Sequence, residues 1–148
     1  MMFIITQSKP IQIVKVRKPI IQKNETNIVK KSLIEGAGRG LFAGKNYKEG
    51  EIIEECDYLI DKPENLMGTI LIDYFWDDII NGEKKALIPV TGKCNLANHS
   101  DKPNTKVLVN SDINKLYLIA IKFIRKGDEI YNSYGDNYWN DRKDHEKK

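Results

Sequence analysis

Cys94-Asn95-Leu96-Ala97-Asn98-His99-Ser100-Asp101-Lys102-Pro103-Asn104 is the stretch on which the fold of this chain turns. Taken by itself it is ambiguous. A lone histidine is more often a satisfied structural residue than a catalyst, and no Cys or Ser nucleophile is apparent for His99. Asn98-His99-Ser100 also matches the N-x-S glycosylation sequon, as does Asn24-Glu25-Thr26. Without a secretory signal both matches read as chance.

The flanks carry more. Upstream stands Gly38-Arg39-Gly40-Leu41-Phe42-Ala43, followed by Lys48-Glu49-Gly50-Glu51-Ile52-Ile53. Glycines let backbone N–H and C=O groups approach a bound molecule closely. With Ala43 the first run spells G-x-G-x-x-A, the dinucleotide fingerprint, which needs a strand before it and a helix starting within it. Ser32 to Glu35 is a weak strand, and Gly44 with the Lys48-Glu49-Gly50 turn leaves no room for a helix, so that reading is rejected. Downstream, Lys126-Gly127-Asp128-Glu129-Ile130-Tyr131-Asn132-Ser133-Tyr134-Gly135 reads as a turn and a short strand ending on a tyrosine.

In this order the three segments resemble the SET domain of protein lysine methyltransferases. The first resembles its opening, the second its N-H-S-C-x-P-N motif, and the third its closing strand with the catalytic tyrosine. The similarity runs from about Asn27 to Arg142. Asp136-Asn137-Tyr138-Trp139 looks like the ending of small viral SET proteins. The resemblance implies a mainly β fold of small curled sheets with short helices and a C-terminal pseudoknot, in which the last segment threads under a loop from mid-chain. It implies S-adenosyl-L-methionine as cofactor. Gly38, Arg39, Gly40 and Leu41 would contact its methionine part through the backbone. Asn98 and His99 would hold it from the other side, His99 through its backbone near the adenine, and Trp139 would cover it. Tyr134 is the expected catalytic tyrosine, also touching the cofactor, and Tyr74 the tyrosine of the lysine channel. Tyr138, Asp73 and Asp77, with Asp78 nearby, are expected to meet a basic peptide. The sequence departs from the family at Asp101, where a cysteine is common. It departs again at Asn132, where many members carry the Phe or Tyr that governs methyl count. The family's cysteine-rich zinc segment is absent, and no metal is expected.

Bulk properties bound the rest. The chain has 148 residues with 41% hydrophobic and 30% charged content, which suits one globular domain. Residues 1–26 read as a basic N-terminal extension, 27–142 as the SET domain and 143–148 as a charged tail. Cys56 and Cys94 are far apart in sequence, so no disulfide framework is expected and a reducing compartment is the default. No apolar run approaches the roughly 20 residues of a membrane span, which points to an intracellular protein, with the nucleus expected from the resemblance. The net charge of +3 is too small to argue for nucleic acid. Its distribution is uneven: residues 9–31 are basic and 51–78 acidic. The acidic middle suits a histone tail, and the basic arm suits nucleosomal DNA. Small viral members also raise a homodimer. Other readings are methylation of a non-histone protein, a catalytically idle chromatin-binding module, and a plain nucleic-acid binder.

Local patterns predict mostly short strands. Glu51 to Ile60 reads as a strand with Ile52 and Ile53 buried. Leu71 to Trp76 reads as a strand, although a short helix fits too. Lys84 to Val90 reads as holding a helical turn. Lys106 to Val109 and Lys115 to Ile124 read as strands around a turn at Asp112-Ile113-Asn114.

Overall fold

The computed structural model describes residues 26–135. Tyr138, Trp139, the tail and nearly all of the basic extension lie outside the described residues. Two sheets carry the fold. The smaller is built from β1 (Ile28–Lys31), β2 (Arg39–Phe42), β6 (Asn98–His99) and β9 (Glu129–Asn132), in the order β1-β2-β9-β6. The larger is built from β3 (Ile52–Asp61), β4 (Trp76–Ile80), β5 (Glu83–Pro89), β7 (Thr105–Asn110) and β8 (Lys115–Ala120), in the order β4-β5-β3-β8-β7. Short 3-10 helices, η1 (Pro63–Leu66), η2 (Ile70–Asp73) and η3 (Cys94–Leu96), fill the connections. This is the curled, mainly β architecture the motifs imply.

Burial fixes the register. In β8 the alternation is strict: Leu116, Leu118 and Ala120 are buried while Lys115, Tyr117 and Ile119 are only partly so, as a pleated strand requires. Leu116 and Leu118 join Leu41, Ile53, Leu87, Ile124 and Ile130 in one core between the sheets. Each such fully buried Leu or Ile is worth about 1.5–3 kcal/mol. Ile52 departs from its expected burial and is 53% exposed, against 6% for Ile53. The cause is a register shift against β8, where Ile52 faces Ile119 and Glu54 already faces Leu118. The extra residue reverses the alternation and turns Ile53 inward.

Two local expectations are corrected. Lys84 to Val90 is not helical: it lies in and just after β5, paired antiparallel with β4 and β3. The deciding signal is Asn81-Gly82, whose φ angles of 53° and 78° are both positive. That is the two-residue hairpin turn this dipeptide favours. Leu71 to Trp76 divides, with η2 ending at Asp73 and β4 starting at Trp76. The turn at 112–114 is present, with Asn114 at φ 51°.

The cysteine expectation is also overturned, since Cys56 in β3 and Cys94 in η3 are joined by a disulfide. Sequence separation says nothing of proximity here. The chain leaves β5, and its return passes at Gly92 against Cys56. A Cβ on Gly92 would stand 2.6 Å from the Cys56 sulfur and 2.6 Å from the Glu55 carbonyl oxygen, so only glycine allows the approach. Both cysteines are buried, at 0% and 1% exposure. Protein folded without reductant should therefore show no free thiol when denatured and titrated. Cys94→Ser should lower stability by about 2–4 kcal/mol in urea unfolding.

The smaller sheet holds the C-terminal strand in an unusual place. β9 pairs antiparallel with β2 and parallel with β6. Beyond β6 the Asn104 side chain stands in for a further strand. Its amide donates to the Glu129 carbonyl at 2.8 Å and its carbonyl accepts from the Tyr131 N–H at 2.8 Å. Thr105 Oγ1 donates to the Tyr131 carbonyl at 2.8 Å. The 98–105 segment thus grips β9, the last strand among the described residues, along its length.

Candidate active site

The stretch from Cys94 to His99 and the end of β9 converge on Tyr134. The Tyr134 hydroxyl donates to the Ala97 carbonyl at 3.2 Å. Its backbone N–H donates to Nδ1 of His99 at 3.1 Å. Its ring meets the His99 ring at 5.4 Å, tilted, and the Trp76 ring at 6.2 Å, edge-on. Trp76 in turn donates its indole N–H to Asn95 Oδ1 at 3.2 Å. The tyrosine is thus held at hydroxyl, backbone and ring, mostly by one segment that the disulfide ties to β3.

Asn98 lies in the same segment. Its Nδ2 donates to the Arg39 carbonyl at 3.0 Å and to Glu129 Oε1 at 3.3 Å. Both amide protons are therefore used within the protein, which leaves Oδ1 as the acceptor available to a ligand. Gly40, beside Arg39, packs directly on the carboxylate. A Cβ there would stand 2.1 Å from Glu129 Oε1 and 3.2 Å from Asn98 Nδ2. Gly40→Ala should displace both side chains and destabilise the fold by about 1–3 kcal/mol, read as a fall in Tm together with weaker cofactor binding. Leu41 is fully buried against Ile130, so only its backbone can face a ligand.

Glu129 opens β9 and has no role that the sequence motifs alone imply. It is 3% exposed. Oε1 accepts from Ser32 Oγ at 2.6 Å and from Asn98; Oε2 accepts from the Leu33 N–H at 2.7 Å and the Tyr131 hydroxyl at 2.9 Å. Burial acts to raise its pKa, yet those hydrogen bonds outweigh it and hold the carboxyl below the usual carboxylate range. Burial, then the hydrogen bond and charge of Glu129, push the Tyr131 hydroxyl up to about 12.

The expected peptide-facing residues are not brought together in the same way. Tyr74 caps η2 and is 46% exposed. The ring against Tyr134 is Trp76, two residues on. Asp77 pairs with Lys84 at 3.0 Å. Asp78 lies on the opposite, less exposed face of β4 and accepts the N–H of Ile79 at 2.8 Å. Asp73 ends η2. The wider acidic stretch is partly neutralised: Glu55 and Asp57 share Lys115, at 2.8 and 2.7 Å. Beneath this region Tyr58 is buried with no hydrogen-bond partner for its hydroxyl among the described residues, and burial, then the charge of Asp78, raise its pKa.

Tyr134 is thus clamped beside an oriented Asn98, at the end of a strand held between β2 and the 98–105 segment. The chain belongs to the SET-domain family, whose profile matches residues 38–135. Among solved structures it is similar to a candidate histone methyltransferase of Plasmodium falciparum, with 31% identity over 78% of this chain and 97% of that one, at a TM-score of 0.60. It shares its fold with a chain of the Chaetomium thermophilum Polycomb Repressive Complex 2 in an autoinhibited conformation bound to S-adenosylmethionine. There the identity is 23% over 76% of this chain, the TM-score is 0.61, and only 15% of the Polycomb chain is covered. The same complex with methylated and methionine-substituted histone H3 matches at 23% identity and a TM-score of 0.61, over 75% of this chain and 14% of that one. A comparison with curated protein sequences finds no significant match. The fold and this family place the chain among SET-domain methyltransferases.

Proposed function

We propose that this protein transfers methyl groups from S-adenosylmethionine to lysine side chains of a protein, with a histone tail as the leading substrate. The observation that carries the reading is the three-point hold on Tyr134 next to Asn98. When bound, the cofactor supplies a methyl group on a sulfonium. Residues of this chain suit it: Asn98 Oδ1 has no partner among the described residues and can accept from an ammonium, Gly38 and Arg39 are exposed, and aromatic faces such as that of Tyr134 favour a cation.

The remaining chemistry belongs to the protein. The lysine nitrogen must be neutral to form the new N–C bond while the C–S bond breaks, yet its reference pKa is ~10.4. A site that strips water favours the neutral amine. Because the Tyr134 proton is committed to the Ala97 carbonyl, the phenol oxygen offers lone pairs. It can orient the lysine N–H and the methyl group as an acceptor, and alignment of this kind is the main lever in such a displacement. Tyr74 and Asp73 stand at the end of η2, and Asp77 follows Trp76 in β4. We assign them to the peptide, with Tyr138 and Trp139 closing the site. The basic arm is assigned to nucleosomal DNA and the activity to the nucleus, and a homodimer is the assembly to test by sedimentation.

Labelled cofactor incubated with core histones, nucleosomes and a cell lysate tests this. Label on a defined histone lysine is expected. Label confined to lysate proteins would redirect the substrate, and tight chromatin binding with no label in any mixture would support an idle module instead.

A further inference from the structure

The His99 imidazole is engaged at both nitrogens. Nδ1 lies 3.1 Å from the backbone nitrogen of Tyr134. An amide N–H only donates, so Nδ1 accepts. Nε2 lies 3.1 Å from Oδ1 of Asp101. An ionised carboxylate only accepts, so Nε2 carries the proton. The two partners agree on one state, the neutral ring protonated at Nε2. Asp101 occupies the position where a cysteine commonly follows N-H-S, so this pairing is a property of this chain. Its side chain is 99% exposed. Such a pair adds little to stability, but choosing between two tautomers of similar energy needs little.

We propose that His99 is a positioning residue for Tyr134, held in the Nε2–H tautomer by Asp101. The backbone of Tyr134 follows β9 by two residues, and His99 is paired in β6 with Asn132. The ring therefore carries the strand register through to the transfer tyrosine. An imidazolium, or the other tautomer, would turn a donor toward the Tyr134 N–H and release it. Among the described contacts, the titratable groups facing the ring are Asp101 from its own loop and Tyr134 from the segment after β9. The proposal rests on the methyl-transfer reading of the site for its consequence in rate, and stands on hydrogen-bond geometry for the tautomer.

Two readouts on the full chain separate these. The chain has two histidines, so side-chain nitrogen NMR gives two imidazoles, told apart with His145→Gln. The Nε2–H tautomer is expected for His99 near neutral pH, giving way to a mixture in Asp101→Ala. An Nδ1–H ring or an imidazolium in the unaltered chain overturns the proposal. In kinetics, His99→Phe keeps a ring but loses the acceptor and should lower kcat by about 10²-fold, the scale of a misplaced catalytic group. His99→Asn restores an acceptor near the Nδ1 position and cannot ionise. It should recover to within ~10-fold of the unaltered enzyme, with KM for the cofactor little changed. Asp101→Ala should cost at most about 5-fold. Equal impairment of the Phe and Asn variants overturns the proposal. If the unaltered chain transfers no methyl, the methyl-transfer reading fails and the NMR result decides the tautomer alone.

Discussion

Tyr134→Phe should lower kcat for methyl transfer by on the order of 10²–10³-fold while S-adenosylmethionine binds within a few-fold of its normal affinity. The substitution keeps the ring against Trp76 and His99 and keeps the backbone N–H on His99. It removes only the hydroxyl that donates to the Ala97 carbonyl. The loss should therefore fall on the transfer step, visible as reduced kcat at saturating cofactor and substrate, with calorimetric cofactor affinity as the control. A variant that loses cofactor affinity as severely as kcat would assign the hydroxyl to binding instead.

Glu129 is the position where a single side chain should cost most stability. Four donors converge on its carboxylate from β9 itself, the segment after β1, and β6. Glu129→Ala strands them in a buried site and should cost about 3–5 kcal/mol. Glu129→Gln keeps the shape but sets a donor against at least one of them, and should cost about 1–3 kcal/mol. The pH dependence follows from the lowered folded-state pKa. The stabilisation is fully present above the unfolded value near 4.5 and is lost as pH falls through the lower folded value. Urea unfolding of the natural chain should thus weaken below about pH 4.5, and Glu129→Gln should show less of that loss. Because Glu129 also holds the Asn98 amide, cofactor affinity should fall with stability in both variants.

The candidate site was legible where chemistry demands particular side chains at particular places. Asn98, His99 and Tyr134 stand out because they sit in ordered motifs, and in the structure β6, β9 and the Ala97 carbonyl do bring them together. Glu129 was quoted but not understood. A glutamate opening a strand after Gly127 looks like a solvated charge, and its burial emerges only when β1, β2, β9 and β6 assemble. Trp76 was not singled out: strand and short helix could not be separated between Leu71 and Trp76, and with η2 ending at Asp73 and β4 starting at Trp76 it is the Trp76 ring that meets Tyr134. Asn81-Gly82 was readable as a hairpin turn and would have placed β4 and β5. The Cys56–Cys94 bond and the inversion at Ile53 depend on how distant strands meet, which no local pattern records. The disulfide bears on the site as well, because it anchors the Asn98-His99 segment at Cys94 before that segment reaches the tyrosine.

S-adenosylmethionine carrying a trideuteriomethyl group is incubated with the protein and core histones, and the histones are mapped by tandem mass spectrometry beside a Tyr134→Phe control. A deuterated methyl group on a specific lysine with the natural chain, and none with the control, is the predicted result. Unmodified lysines under conditions where the cofactor demonstrably binds, or equal labelling by both proteins, would contradict it.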